Sequence, residues 1–165
     1  MLVWRWPVGH APVELRPPVA GTVAVVADMT GAVLVDRARQ ALDLPLQRAL
    51  GVRPLDPHVP SLGVWFPVAD LADNGAGGMH AAALGAALEI AGYLAVLPTL
   101  SAAEHAVTHM IATQLLAAAD LGERVEVRAQ LERRTRNLAF LSATAAVDER
   151  LIARAQLTKS IVAAR

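Results

Sequence analysis

One carboxylate inside an apolar stretch is the first side chain here that could do chemistry. In residues 79–97, MHAAALGAALEIAGYLAVL, Glu89 is the only ionisable group between His80 and Tyr93. An unpaired buried carboxylate costs several kcal/mol, so such a residue has either a partner or a task. Desolvation raises a carboxyl pKa and suits it to act as a general base near neutral pH, or as a nucleophile on an acyl carbon. A place on a solvent-facing stripe, or a bond to a buried Arg, would be the structural explanation.

The segment before it carries a second kind of chemistry. Asn74-Gly75-Ala76-Gly77-Gly78-Met79-His80-Ala81-Ala82 places glycines just ahead of an apolar helix. The free N–H groups of a helix's first turn bind anions and polarise carbonyl oxygens, and glycines let a ligand come close to the backbone. A dinucleotide fingerprint read from Gly75 requires glycine where His80 stands. No Lys-Ser or Lys-Thr follows to make a phosphate-binding Walker loop. Nine residues of helix turn through ~900° and rise ~13.5 Å, so Glu89 lies half a turn away from His80. Two chains with antiparallel helices side by side would bring one helix start to the other chain's Glu89.

Other chemistries find less support. With no cysteine there are no disulfides, thiolate nucleophiles or Cys-based zinc sites. His105 and His109 fall in a predicted strand, where residues four apart are ~13 Å distant, too far to share one ion. No metal is therefore expected. Ser61, Ser101, Ser142 and Ser160 lack the glycines of a nucleophile elbow. His10 and His58 lie in Pro-rich stretches. Trp4, Trp6 and Trp65 read as core or interface anchors.

These groups need elements to hold them. Residues 33–50 show a helical apolar period that Pro45 should break or kink. Residues 51–60, with three prolines, read as a loop, and 61–69 as a strand. The turn-rich 70–78 leads into the helix 79–97, stopped by Pro98. Four strand-like segments follow at roughly 104–118, 122–134, 137–148 and 150–163. In the second, Val125, Val127, Ala129 and Leu131 alternate with polar residues, as in a half-buried strand. Arg136-Asn137 and Asp148-Glu149-Arg150 mark hairpin tips. The first 32 residues form an extension of uncertain structure, in which GTVAVVADM at 21–29 resembles a strand.

A chain of 165 residues fits one domain. Zero net charge and only 18% charged residues exclude disorder and a basic nucleic-acid binder. No apolar signal-peptide run opens the sequence, which predicts a cytoplasmic location. The apolar stretch approaches bilayer-spanning length, but Glu89, Gly85 and Gly92 favour a protein-wrapped helix over membrane insertion. One buried helix on one antiparallel sheet is an α+β layout.

Asn74-x-x-Gly77-x-x-His80, a small pair, then an acid nine residues after the histidine resembles the hotdog-fold acyl-CoA thioesterases. The resemblance is nearest to their phenylacetate-pathway (PaaI-like) branch. The stretches from Arg133 to Phe140 and from Asp148 to Arg154 are similar to the last hairpins of that superfamily. The likeness spans about residues 33–163. It implies a long buried helix wrapped by a curved antiparallel sheet of about five to six strands. It also implies a homodimer, or a dimer of dimers, acting on an acyl-CoA or acyl-carrier thioester.

By that resemblance, Asn74 positions or polarises the thioester or water. His80 and the amides of Ala81 and Ala82 form the oxyanion site, and Glu89 is base or nucleophile. The family often has Gly-Gly where Ala81-Ala82 stand, and the two Cβ atoms narrow the approach. No cofactor is implied beyond the coenzyme A of the substrate. Arg133, Arg134, Arg136 and Asn137 are candidates to hold its phosphates, for which the Arg fork is well shaped. The alternative is a solvated face, in which Arg124, Arg128, Arg133, Arg134 and Arg136 form ion pairs with Glu123, Glu126 and Glu132. Two rival functions remain open: an acyl-thioester dehydratase or hydratase, and a non-catalytic acyl-CoA or lipid binder.

Overall fold

The computed structural model describes residues 31–164. The strand expected at 21–29, and the roles of Trp4, Trp6 and His10, lie outside the described residues.

Helix α1 (Ala32–Leu42) and short helix α2 (Pro45–Ala49) replace the single period read over 33–50. The break falls where Pro45 forces it, and Pro45 itself sits at the start of α2, where a missing N–H costs nothing. Two short strands follow, β1 (Arg53–Pro54) and β2 (Val64–Pro67). The long helix α3 (Ala81–Val96) begins two residues later than expected and runs into a 3₁₀ turn, Leu97–Thr99, around Pro98. Strands β3 (Glu104–Leu115), β4 (Arg124–Arg134), β5 (Leu138–Val147) and β6 (Arg150–Ala163) complete the chain.

All six strands join one antiparallel sheet in the order β1-β2-β4-β5-β6-β3. Strand β3 follows α3 in sequence yet pairs at the far edge with β6. The sheet therefore packs around α3, whose Leu84, Ala87, Leu88 and Leu94 are buried against inward residues such as Val127, Leu141, Ala145 and Leu157. Alternation produces this inner face: in β5, Ala139, Leu141, Ala143, Ala145 and Val147 are all buried. The segment Ala81–Thr99 is long and apolar enough to cross a membrane, and the fold buries 61% of it.

Two irregularities decide which polar side chains turn inward. The β4–β5 register shifts between Leu131 and Arg133. A bulge reverses the in–out phase of a strand, so Arg134 rather than Arg133 takes the inward position, opposite Ala139. The β3–β6 register shifts between Thr108 and Met110, immediately after Thr108 pairs with Lys159. Ala106 and Thr108 share the inner phase before that shift, and Ile111 packs on the core after it.

Candidate active site

The loop that enters α3 is held by its own side chains. Asn74 Oδ1 accepts from the N–H groups of Ala76 at 2.7 Å and Gly78 at 3.2 Å, and Asp73 Oδ1 accepts from Gly75 N–H at 2.8 Å. Gly75 and Gly77 adopt φ of 76° and 84°, which side chains disfavour. The loop is pinned to the segment before β4, with Met79 N–H donating to Ala119 O and Leu121 N–H to Gly77 O. Asn74 is thus spent mainly on loop geometry. Among the described residues its Nδ2 reaches only Met79 O, at 3.5 Å.

His80 is the N-cap of α3, and its Nδ1 accepts from Ala82 N–H at 3.0 Å. With Nδ1 accepting, a neutral imidazole carries its hydrogen on Nε2, which leaves that nitrogen as a donor. The Ala82 amide, expected at the oxyanion site, is occupied by this cap. The Ala81 N–H donates to no described residue. His80, Ala81 and Ala82 are all exposed. Among the described residues, the free donors at the helix start are therefore Ala81 N–H and His80 Nε2–H.

Glu89 sits midway along α3, apart from that cluster within the one chain. Its side chain is 44% exposed, so the carboxylate is not enclosed in an apolar pocket as the sequence suggested. Thr108 Oγ1 donates to Glu89 Oε1 at 2.8 Å, and Lys159 Nζ lies 3.5 Å from the same oxygen. Lys159 Nζ also donates to Glu89 backbone O and to Thr108 Oγ1, both at 2.9 Å. Among the described residues the charged partner of the acid is therefore a buried lysine and not an arginine. Burial pushes the Lys159 ammonium below its ordinary pKa, and the Glu89 carboxylate opposes that shift.

Sequence reasoning did not place Lys159 in the site. Its signal was present: it is the single lysine among fifteen basic residues, and it continues the inward series Ala153, Ala155, Leu157 of β6.

A second polar group lies at the start of β3. The His105 ring packs on Tyr93, one helical turn after Glu89, with centroids 5.3 Å apart. Arg37 of α1 donates to Ser101 O and Glu104 O and approaches His105 Nδ1. Burial lowers the His105 pKa, followed by the charges of Arg37 and Lys159, with Glu89 acting oppositely. Arg37, Tyr93 and His105 border an open cavity of about 1170 Å³ between α1 and the ends of β3 and β6.

The arginine cluster divides. Arg134, its side chain only 6% exposed, directs Nη2 to both oxygens of Glu104, at 2.9 and 3.0 Å. The sequence grouped it with the candidates for a phosphate; the bulge turns it into the fold, where Glu104 is its partner. Arg133, Arg136 and Asn137 remain exposed at the β4–β5 hairpin. Further along β4, Arg124 and Arg128 pair with Glu126, as the solvated-face reading had it. His105 and His109 do lie on a strand, and the described residues contain no group of three or more potential metal ligands.

The family model that matches the sequence is the fluoroacetyl-CoA-specific thioesterase, over residues 69–165. That is more than half of the 165-residue chain and contains α3 and the four long strands. The chain belongs to this thioesterase family. No curated protein matches it in sequence.

Solved structures agree on the fold. A thioesterase from Haemophilus influenzae superposes with a TM-score of 0.71 at 19% identity, covering 84% of this chain and 95% of the other. A phenylacetic acid degradation-related protein from Ralstonia eutropha gives 0.64 at 26% identity, covering 77% and 98%. A Streptococcus mutans protein solved with acetyl-CoA bound gives 0.56 at 19% identity, covering 62% and 81%. The helix wrapped by a six-stranded antiparallel sheet is the hotdog fold of these thioesterases, as the motif around His80 and Glu89 implied.

Proposed function

We propose that this protein hydrolyses an acyl-CoA thioester in a site shared by two subunits. The observation that carries this reading is a half-exposed carboxylate, anchored through one oxygen, on the same helix as an exposed N-terminus with free donors. Those two features lie ~13.5 Å apart along α3, too far to flank one thioester within a single chain. A second α3 running antiparallel would bring each helix start to the other chain's Glu89.

Two features support such pairing. Strand β3 is an edge of the sheet and exposes Val107, Met110 and Leu115, and an unpaired edge is a template for a second strand. The side of α3 around Glu89 carries small residues, Ala82, Gly85 and Ala86, none fully buried, which permit close helix approach.

In this site the thioester oxygen would accept from Ala81 N–H and His80 Nε2–H. Donors aimed at a developing oxyanion are worth ~3–4 kcal/mol each in hydrolytic sites. Glu89, through its unanchored oxygen Oε2, would take a proton from water as the water oxygen attacks the carbonyl carbon. Collapse of the tetrahedral intermediate breaks the C–S bond. The proton then passes to the departing sulfur, giving free coenzyme A and the carboxylic acid. Arg133, Arg136 and Asn137 are the exposed candidates for the phosphates of coenzyme A. The family description points to small acyl groups as the first substrates to try.

The test is free-thiol release over acetyl-, fluoroacetyl-, hexanoyl- and phenylacetyl-CoA, with Glu89→Gln alongside. Turnover of at least one thioester and its loss in the folded mutant are expected. Wild-type rates in Glu89→Gln would remove Glu89 from the mechanism. Tight acyl-CoA binding with no thiol released would make the protein a binder.

A further inference from the structure

We infer that Lys159 and Thr108 are positioning residues that fix the Glu89 carboxylate and present its second oxygen for reaction. This rests on the reading of Glu89 as the base. The three side chains come from three elements. Lys159 crosses from β6 and is fully buried. Thr108 lies directly opposite it on β3. Glu89 lies above both on α3. Lys159 Nζ, with three hydrogens to donate, reaches Glu89 backbone O and Thr108 Oγ1 at 2.9 Å each, and faces Glu89 Oε1 at 3.5 Å. Because Thr108 Oγ1 accepts from the ammonium, its own hydrogen is committed to Glu89 Oε1, at 2.8 Å. Proton direction along this chain is thereby set by the lysine. Oε1 is held, while Oε2 accepts no hydrogen bond from the described residues.

A glycine in α3 makes room for this lysine and its neighbour Leu157. A Cβ built on Gly92 would stand 3.2 Å from Lys159 Cε and 2.9 Å from Leu157 Cδ2. Glycine inside a helix costs ~1 kcal/mol relative to alanine, so its use at a buried helical position calls for a cause in packing. Leu157 and the Lys159 stem beneath α3 together supply that cause. An apolar residue at 159 would satisfy the core equally well, and a buried ammonium is costly without a specific role. The other ionisable groups around this point are His105 of β3, Tyr93 of α3 and Arg37 of α1, and both His105 and Lys159 register the Glu89 charge.

The experiment compares Lys159→Met, Thr108→Val, Thr108→Ser and Glu89→Gln in the full chain. Free thiol is followed with acetyl-CoA and fluoroacetyl-CoA from pH 4 to 9. Lys159→Met and Thr108→Val should lower kcat about ten- to a hundred-fold, the equivalent of one charge-assisted hydrogen bond. KM should change by less than about twofold, because the lost contact does not touch substrate. Thr108→Ser, which keeps the hydroxyl, should retain most of the rate. Should Lys159→Met fail to fold, the Val and Ser variants of Thr108 decide. Wild-type kcat in the folded variants, or a Thr108→Ser protein as slow as Thr108→Val, would overturn the proposal. Activity surviving in Glu89→Gln would instead overturn the assignment of the base. An inactive Glu89→Gln beside unaffected Thr108→Val and Lys159→Met would refute the positioning role alone.

Discussion

Replacing Glu104 by glutamine should destabilise the fold without touching the proposed chemistry. Arg134 is buried and its Nη2 contacts both Glu104 oxygens within 3.0 Å. Removing one partner of a buried pair leaves an uncompensated charge and costs ~3–5 kcal/mol. The Glu104 side chain is 29% exposed, so water screens one end and about 2–4 kcal/mol is the better expectation. For a domain of this size each kcal/mol moves Tm by ~2–4 °C, which puts the drop at about 4–16 °C.

The pH dependence has a definite sign. The Ser101 N–H, and then Arg134, hold the folded Glu104 carboxyl below its ordinary value. A lowered folded pKa gives stability that is complete above the unfolded value, near 4.5, and lost as pH falls through the folded one. The gap between wild type and Glu104→Gln should therefore be full at pH 7 and close progressively below about pH 4.5. Thermal unfolding followed by circular dichroism at pH 7, 5, 4 and 3 would measure it. A Glu104→Gln protein melting within about 1 °C of wild type at pH 7 would refute the burial argument.

Three further outcomes follow from the same geometry. Gly92→Ala gains ~1 kcal/mol of helix propensity but drives a methyl into Leu157 and Lys159, an overpacking worth ~1–3 kcal/mol. A net loss of about 1 kcal/mol in denaturant unfolding is expected, with reduced thiol release because Lys159 must shift. Arg136→Ala should raise KM for a CoA thioester several-fold while sparing a small thioester without coenzyme A. Arg134→Ala should lower Tm instead, and the converse pattern would restore Arg134 as a phosphate ligand.

Much of the fold was legible because its periods are strong. The four long strands alternate or carry hairpin signals at Arg136-Asn137 and Asp148-Glu149, and each was found within a few residues of its bounds. The break at Pro45 and the stop at Pro98 are written in residues that lack an N–H. The register shifts in β3 and β4 were not legible. In sequence Arg133, Arg134 and Arg136 look alike, and only a one-residue slip after Leu131 sends the middle one inward.

For the same reason the partner of Glu89 was missed. The strand pairing that sets Lys159 against Thr108 is a non-local fact that no local window records. The His80 cap was also out of reach, since histidine is an uncommon N-cap and its ring occupies the Ala82 amide by geometry alone.

Subunit complementation tests the shared site most directly. Glu89→Gln and His80→Ala chains, each inactive alone, are mixed under conditions that exchange subunits and assayed for thiol release. In a symmetric dimer each mixed molecule holds one site built from the two intact halves, so about a quarter of wild-type activity should return. Mixed dimers that form but stay inactive would show that both groups serve a site within one chain, and would contradict a site shared between subunits.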